Sequence, residues 1–257
     1  MVKESEKLVK FRNLSSKEAA NKWIQKCVKE CAASYPLLPG KLPVAVDIGA
    51  NVGGFCIYAH HHFDKVYAFE PYTPNYNILL QVMDELKMSN IEAYNTAIYG
   101  SSDEELSLMA PMEAWSGGIR CGEAAKDINL INLQETTTSI SLFDAMEALE
   151  IKRINYLKLD CEGSEYSILE NFPPSEYYRI SMIAMELHGC FGPQRKENLL
   201  RFLDEFYSII PLCINGSWPD WSIPLNELSN FAITDFKSPI VKEESNFFCL
   251  NREALQR

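Results

Sequence analysis

Several common signals are missing from this 257-residue sequence. None of its eight cysteines forms a C-x-x-C pair, which is the usual spacing of a structural zinc site. No run approaches the roughly 18 apolar residues of a membrane-spanning helix. The charged first residues also lack the apolar core of a signal peptide. We therefore expect reduced thiols, no membrane span and a cytoplasmic location.

Basic residues are also scarce relative to acidic ones. Lys and Arg number 24 and Asp and Glu 35, so the net charge is −11. A nucleic-acid-binding protein needs a basic surface that neutralises phosphates, and an anionic membrane attracts basic segments. We therefore expect neither nucleic acid nor a membrane as the partner. The 47% hydrophobic content is typical of a globular chain with one good core.

The most informative stretch spans residues 44–54 and reads Val-Ala-Val-Asp-Ile-Gly-Ala-Asn-Val-Gly-Gly. It predicts a buried strand, a glycine-rich turn and a new helix, because an apolar run bounded by glycine suits a parallel strand covered on both faces. Gly49 can adopt a left-handed backbone conformation and turn the chain. The helix is expected to begin near Gly53, where free N–H groups attract an anionic group.

A second strand ends in an acid. Glu70 lies 70 − 49 = 21 residues after Gly49, a spacing that lets a carboxylate accept two hydrogen bonds from a ribose diol. Pro71 follows it directly. The third strand is predicted at 91–95, and Ala97 just beyond it is expected to lie near an adenine ring. This order indicates the nucleoside-binding half of a doubly wound sheet.

The turn favours one kind of nucleoside ligand. A dinucleotide site has the pattern G-x-G-x-x-G, whose second glycine lets the backbone approach a pyrophosphate. Asn51 occupies that position, so a smaller polar ligand without a pyrophosphate is preferred. S-adenosylmethionine combines adenosine, a sulfonium and an amino-acid tail whose carboxylate suits a helix N-terminus. Asp47 could hold the ammonium of that tail, directly or through water. A purely structural turn is the alternative, and the position of Glu70 disfavours it.

Polar side chains also follow the later strands. Asp160, Glu186 and His188 lie at or just beyond predicted strand ends, where open parallel sheets bind their ligands. Methyl transfer to a hydroxyl needs a base, and these three residues and Glu162 are the candidates. His188 is expected to titrate nearest neutrality. The alternative is that His188 only bonds the backbone near a strand end.

No residue is assigned to a metal. The histidines from His60 to His62 follow one another on a predicted helix end, so they face different directions. Glu165 is expected to stabilise the dipole of a helix in its first turn. Mg²⁺ held by carboxylate oxygens is left open.

The alternation of strands and helices predicts an α/β fold with a parallel sheet and helices on both faces. A helix is expected at 198–207. Residues 100–137 are expected to be less regular, with a short strand at 106–109 and an extended segment at 134–141. The chain divides into an N-terminal helical extension, 1–40, and one larger domain, 41–257. The extension and the 100–137 segment are expected to shape the acceptor pocket.

Four motifs together resemble the FkbM-type S-adenosylmethionine-dependent methyltransferases. They run from Val46 to Gly53, from Tyr67 to Pro71, from Leu157 to Glu165 and from Met185 to His188. The resemblance covers roughly residues 41–250, and the third motif, Leu-Lys-Leu-Asp-Cys-Glu-Gly-Ser-Glu, is its most specific part. It implies a Rossmann-like class I fold with a seven-stranded sheet whose last strand is antiparallel. It also implies O-methylation of a hydroxyl on a sugar or natural product.

Carried over to this sequence, the resemblance places Asp47, Gly49, Asn51 and Glu70 at the cofactor and Asp160 against the bound ligand. Two other interpretations remain: a nicotinamide-dependent reductase, which Asn51 disfavours, and a catalytically silent module with the same fold. In full, the predicted cofactor-binding residues are Asp47, Gly49, Asn51, Gly53, Glu70, Pro71, Ala97 and Asp160, and the predicted catalytic residues are Asp160, Glu186 and His188.

Overall fold

The computed structural model describes residues 17–111, 118–126, 130–212, 225–238 and 245–253. Within these ranges the helices are α1 (Lys17–Ser34), α2 (Gly54–Ala59), α3 (Thr73–Glu85), α4 (Leu142–Ala148), α5 (Ser164–Asn171), α6 (Gly192–Leu203) and α7 (Leu225–Leu228). The strands are β1 (Leu42–Ile48), β2 (Phe63–Phe69), β3 (Ile91–Tyr94), β4 (Ala97–Tyr99), β5 (Glu105–Pro111), β6 (Leu130–Ser141), β7 (Tyr156–Leu159), β8 (Met182–Glu186), β9 (Tyr207–Pro211) and β10 (Asn246–Asn251).

The main sheet has seven strands in the order β3-β2-β1-β7-β8-β10-β9. The first five are mutually parallel, and β10 runs antiparallel to both β8 and β9. The strand order reverses between β1 and β7, which is where doubly wound sheets bind ligands. The predicted fold class, a mostly parallel seven-stranded sheet with an antiparallel last strand, is confirmed.

Apolar side chains cover both faces of this sheet. Val46 belongs to a buried cluster that includes side chains of α4, α5 and α6. The preceding residue of β1, Ala45, belongs to a second cluster with side chains of α2 and α3. Neighbouring residues of a strand point to opposite faces, so a strand covered twice is apolar on both. This pattern explains the apolar residues 44–46 of β1; the buried acid that follows them, Asp47, has a charged partner in Lys158.

A smaller sheet has the order β4-β6-β5, in which β6 pairs parallel with β4 and antiparallel with β5. Residues 106–109 and 134–141 lie in β5 and β6 as expected, but both strands are longer than predicted, so the described part of 100–137 is more regular than expected. The helix expected at 198–207 also needs correction: α6 ends at Leu203, and Tyr207 begins β9. A sequence window cannot show the ladder that β9 forms with β10 from the far end of the chain.

Helix α1 packs against the start of α2. A Cβ added to Gly54 would lie 2.7 Å from the Cβ of Cys27, so the glycine lets the two helices approach closely. The division of the chain at residue 40 stays a prediction. The seven described cysteines are free thiols. None of the described helices is both long and apolar enough to cross a bilayer.

Candidate functional site

A cavity of about 470 Å³ opens at the carboxyl ends of the parallel strands. Three groups of residues form its main walls. The turn wall is Gly49, Ala50, Asn51, Glu70, Pro71 and Ala97; the carboxylate wall is Asp160, Glu162, Glu186 and His188; and the α1 wall is Trp23, Cys27, Glu30, Cys31 and Ser34.

Gly49 joins the turn wall to the carboxylate wall. Its φ is +78°, and a Cβ at this position would lie 1.9 Å from the carbonyl oxygen of Asp160. The N–H groups of Gly49 and Ala50 both donate to the carbonyl of Phe69, at 3.0 Å. Gly49 is therefore required both by its backbone conformation and by its contact with the chain beyond β7.

Glu70 organises the rest of the turn wall. One carboxylate oxygen accepts the N–H of Asn51 and the other accepts the N–H of Tyr72, both at 2.9 Å. The Glu70 side chain is buried, and burial raises its pKa to about 7 although both N–H groups act in the opposite direction. The Oδ1 atom of Asn51 is buried and has no hydrogen-bond partner among the described residues.

Two residues predicted to bind the cofactor do not line the cavity. A Cβ at Gly53 would lie 2.8 Å from Leu79, so a core side chain occupies the space that was expected to admit a ligand. Asp47 is fully buried in β1 and contacts Lys158 and Cys56 instead. Neither residue lines the cavity, so a contact of Asp47 with the ligand through water, and any role of Gly53 at the cofactor, stay predictions.

Lys158 is a site residue that sequence reasoning missed. Its Nζ lies 3.0 Å from Oδ1 of Asp47 and donates to the carbonyl of Gly49 at 2.7 Å. Burial alone would lower the pKa of Lys158, but the carboxylates of Asp47 and Asp160 raise it above its usual value, so the lysine stays charged. A lysine inside an apolar strand needs a buried partner, and this was the signal available in the sequence.

The carboxylate wall brings together the ends of β7 and β8. The Nε2 atom of His188 lies 3.4 Å from Glu162 and 4.0 Å from Asp160. Its Nδ1 atom lies 3.1 Å from Glu165, which is fully buried and also accepts N–H groups from the loop after β7. Single ligand atoms of Asp160, Glu186 and His188 all lie within 4.8 Å of one another.

These carboxylates change the protonation of His188. Burial alone would lower the pKa of His188, but Glu165, Glu162 and Asp160 raise it to about 10. The expectation that His188 titrates nearest neutrality is therefore corrected. Burial and the neighbouring negative charges raise the pKa of Glu186 as well.

The α1 wall and the segment after β5 close the cavity. Cys27 and Cys31, which lie four residues apart on α1, both line the cavity. Gly118 and Ile119, from the segment after β5, line it as well. The N–H of Gly118 donates to Glu162 at 2.7 Å, which ties this segment to the carboxylate wall. Both regions that were expected to shape the acceptor pocket therefore contribute to the cavity.

The predicted residues Gly49, Asn51, Glu70, Pro71, Ala97, Asp160, Glu186 and His188 thus lie on one cavity. They come from turns after β1 and β2, from the start of β4 and from the ends of β7 and β8. Their roles in binding and catalysis stay predictions.

Several known proteins are similar to part of this chain. The chain is 27% identical over 180 residues to the 31-O-demethyl-FK506 methyltransferase FkbM of Streptomyces tacrolimicus, covering 61% of this chain and 68% of that one. It is 23% identical over 163 residues to Methyltransferase 1 of Beauveria bassiana, covering 57% and 65%. A solved structure of Methyltransferase FkbM from Methylobacillus flagellatus superposes with a TM-score of 0.44 and 17% identity, covering 67% of this chain and 40% of that one.

The chain thus spans about two thirds of the curated relatives' length and 40% of the Methylobacillus chain. The family model of the methyltransferase FkbM domain matches residues 47–209, which is more than half of the 257 residues and includes the turn wall and the carboxylate wall. The chain therefore belongs to the FkbM methyltransferase domain family.

Proposed function

We propose that this protein transfers a methyl group from S-adenosylmethionine to a hydroxyl of a sugar or another small molecule. The observation that carries the proposal is the turn wall beside the carboxylate wall in one cavity, with Gly49 in contact with Asp160 at their junction. A nucleoside site and a set of proton acceptors therefore face the same space. Membership of a methyltransferase family supports the same reaction.

The residues of the turn wall fit S-adenosylmethionine. A volume of about 470 Å³ lies within the range of small-molecule sites. Glu70 faces the cavity with a carboxylate suited to a ribose diol. The unpartnered Oδ1 of Asn51 offers a buried acceptor to a donor group of the cofactor, and Ala97 lines the region assigned to the adenine.

The carboxylate wall supplies the chemistry on the acceptor side. S-adenosylmethionine, when bound, supplies a methyl group on a sulfonium, whose leaving group is a neutral thioether. Asp160, Glu162 and Glu186 would orient the acceptor hydroxyl, and one of them would take its proton as the oxygen bonds to the methyl carbon. Such positioned proton transfer contributes roughly 10²–10⁴-fold to a rate.

The negative charge of the cavity and the similarity to the Streptomyces tacrolimicus enzyme both bear on the class of acceptor. The carboxylates favour a hydroxyl-rich neutral molecule over a phosphate-bearing one, since like charges repel. The curated relative from Streptomyces tacrolimicus is named for methylation at an oxygen. A sugar or natural-product hydroxyl is consistent with both observations.

Calorimetric titration with S-adenosylmethionine, S-adenosylhomocysteine and NADH tests the proposal. We expect wild-type protein to bind the first two ligands only, and the Glu70→Ala variant to lose that binding. Methyl transfer from radiolabelled S-adenosylmethionine to a panel of sugars and polyols then tests the acceptor. Binding of NADH alone, or of none of the three ligands, would contradict the assignment.

A further inference from the structure

We propose that Asp160, Glu186 and His188 hold a divalent cation of the Mg²⁺ or Mn²⁺ class, which would bind the acceptor hydroxyl. The cation site is defined by these three side chains alone. The role given to the cation rests on the proposed function. The site itself is tested separately below.

The backbone fixes the spacing of the two carboxylate ligands. Asp160 follows β7 and Glu186 ends β8, and these parallel strands are paired with Leu159 opposite Met185. The ligand atoms lie within 4.8 Å of one another. Mg²⁺ binds oxygen at about 2.1 Å, so opposite ligands stand about 4.2 Å apart. Neighbouring ligands stand about 3.0 Å apart, so the three side chains would rotate closer together around a bound cation.

His188 is held in the orientation of a metal ligand. Glu165 contacts Nδ1 at 3.1 Å, and the side chain of Glu165 is itself fixed by the N–H groups of Cys161 and Gly163. With an N–H at Nδ1, a neutral His188 carries its free lone pair on Nε2, which lies 3.4 Å from Glu162 and 4.0 Å from Asp160. Histidines that bind metals commonly donate the N–H of their second ring nitrogen to a carboxylate in this way.

The charges of the cavity also favour a cation. Asp160, Glu162 and Glu186 face it together, and the Glu186 side chain accepts no hydrogen bond and forms no ion pair with any described residue. Lys158 approaches Asp160 only to 3.9 Å because it pairs with Asp47 at 3.0 Å. Carboxylate oxygens are the ligands that hard cations such as Mg²⁺ and Mn²⁺ prefer, and an imidazole nitrogen completes such a set.

Coordination would assist the reaction at the acceptor oxygen. A hydroxyl bound to a divalent cation loses its proton more readily, as metal-bound water does. Asp160 and Glu186 would then serve as ligands. Glu162, 3.4 Å from Nε2 of His188, would remain beside the cation to take the hydroxyl proton.

Electron paramagnetic resonance of Mn²⁺ titrated into metal-free, full-length protein tests this inference. We expect one Mn²⁺ per chain, displaced by Mg²⁺. The affinity should fall at least about tenfold in Glu186→Gln, which replaces a charged oxygen ligand by a neutral one, and in His188→Gln, which removes the imidazole. The matched controls are His61→Gln, at an exposed histidine, and Glu205→Gln, at an exposed acid on the chain before β9. Both controls should bind Mn²⁺ like the wild type.

Titration with S-adenosylhomocysteine runs in parallel and shows that each variant is folded. Binding of S-adenosylhomocysteine without stoichiometric Mn²⁺ binding would overturn the cation site and leave the methyltransferase proposal intact. Mn²⁺ binding without S-adenosylhomocysteine binding would support the cation site and overturn the methyltransferase proposal. The site would also be overturned if the two controls lost as much Mn²⁺ affinity as Glu186→Gln and His188→Gln. It would likewise be overturned if neither of these two variants lost any.

Discussion

The turn wall and the carboxylate wall face each other across one cavity but are built by different means. Backbone groups shape the turn wall: N–H groups of Gly49 and Ala50 share one carbonyl, and Glu70 accepts two more. Side-chain charges shape the carboxylate wall, where three acids of the cavity and buried Glu165 surround His188. The first wall is therefore held by its own hydrogen bonds, whereas the second depends on the balance of charges around His188.

The two walls meet at Lys158 and Gly49. Lys158 binds the carbonyl of Gly49 and pairs with Asp47 on one side, and it approaches Asp160 on the other. Changes at this junction should therefore damage both walls, while changes within one wall should leave the other intact.

The largest effect is expected from Lys158→Met. The variant leaves the fully buried carboxylate of Asp47 without its partner, which should lower the free energy of unfolding by about 3–5 kcal/mol in urea titrations. Lys65→Met is the matched control, because its pair with Glu92 is partly exposed and such pairs contribute less than about 1 kcal/mol. Equal losses in the two variants would contradict a structural role for the Asp47–Lys158 pair.

Gly49→Ala should be nearly as damaging. The new Cβ would meet the carbonyl of Asp160 at 1.9 Å, and a φ of +78° strains any residue other than glycine. We expect a loss of about 2–4 kcal/mol in thermal unfolding. Gly189→Ala should be close to neutral, because nothing lies within 4 Å of the position that its new Cβ would occupy. A stable Gly49→Ala protein would show that the junction can relax.

Glu70→Gln should affect the turn wall alone. Hydrogen bonds to a charged group contribute roughly 1.5–3 kcal/mol, so affinity for S-adenosylhomocysteine should fall by about 10- to 150-fold at pH 8. Binding of Mn²⁺ at the carboxylate wall should be unchanged in the same protein. Loss of both ligands together would mean that the two walls are not independent.

The smallest effect is a pH dependence carried by Glu70. Its pKa of about 7 means that the acid is protonated below neutrality, and a protonated carboxyl cannot accept from both ribose hydroxyls. Affinity for S-adenosylhomocysteine should therefore decline as pH falls below about 7, by at most about tenfold per unit. The Glu70→Gln variant should show a flat profile, and a wild-type profile equally flat would contradict the assignment of Glu70.

The sequence predicts the turn wall well because its determinants are local. Gly49, Asn51 and Glu70 lie within 22 consecutive residues, counted as 70 − 49 + 1. The rule that ligands bind at strand ends also predicts Asp160, Glu186 and His188 on the cavity. What it cannot predict is their electrostatic state, because Glu165, Glu162 and Asp160 approach His188 only once β7 and β8 are paired.

Other features escape prediction for a similar reason. Lys158 finds its partner, Asp47, across two strands that are 158 − 47 = 111 residues apart. The sequence predicts a helix that continues into the start of β9. Residue 207 belongs to a strand because β9 pairs with residues 246–251, and this pairing cannot be read from the local sequence. The glycine-rich pattern at Gly53 is typical of a ligand site, but a glycine is needed there because the side chain of Leu79 in α3 lies against it.

The position of β10 has a consequence for biosynthesis. β10 lies between β8 and β9, and Asn246, the residue opposite Glu186, also lines the cavity. A growing chain that has not yet released residues 246–251 must leave the facing edges of β8 and β9 without their hydrogen-bond partners. Closure of the sheet and completion of the cavity therefore depend on the same six residues, and until these pair, the edges of β8 and β9 are open to other strands.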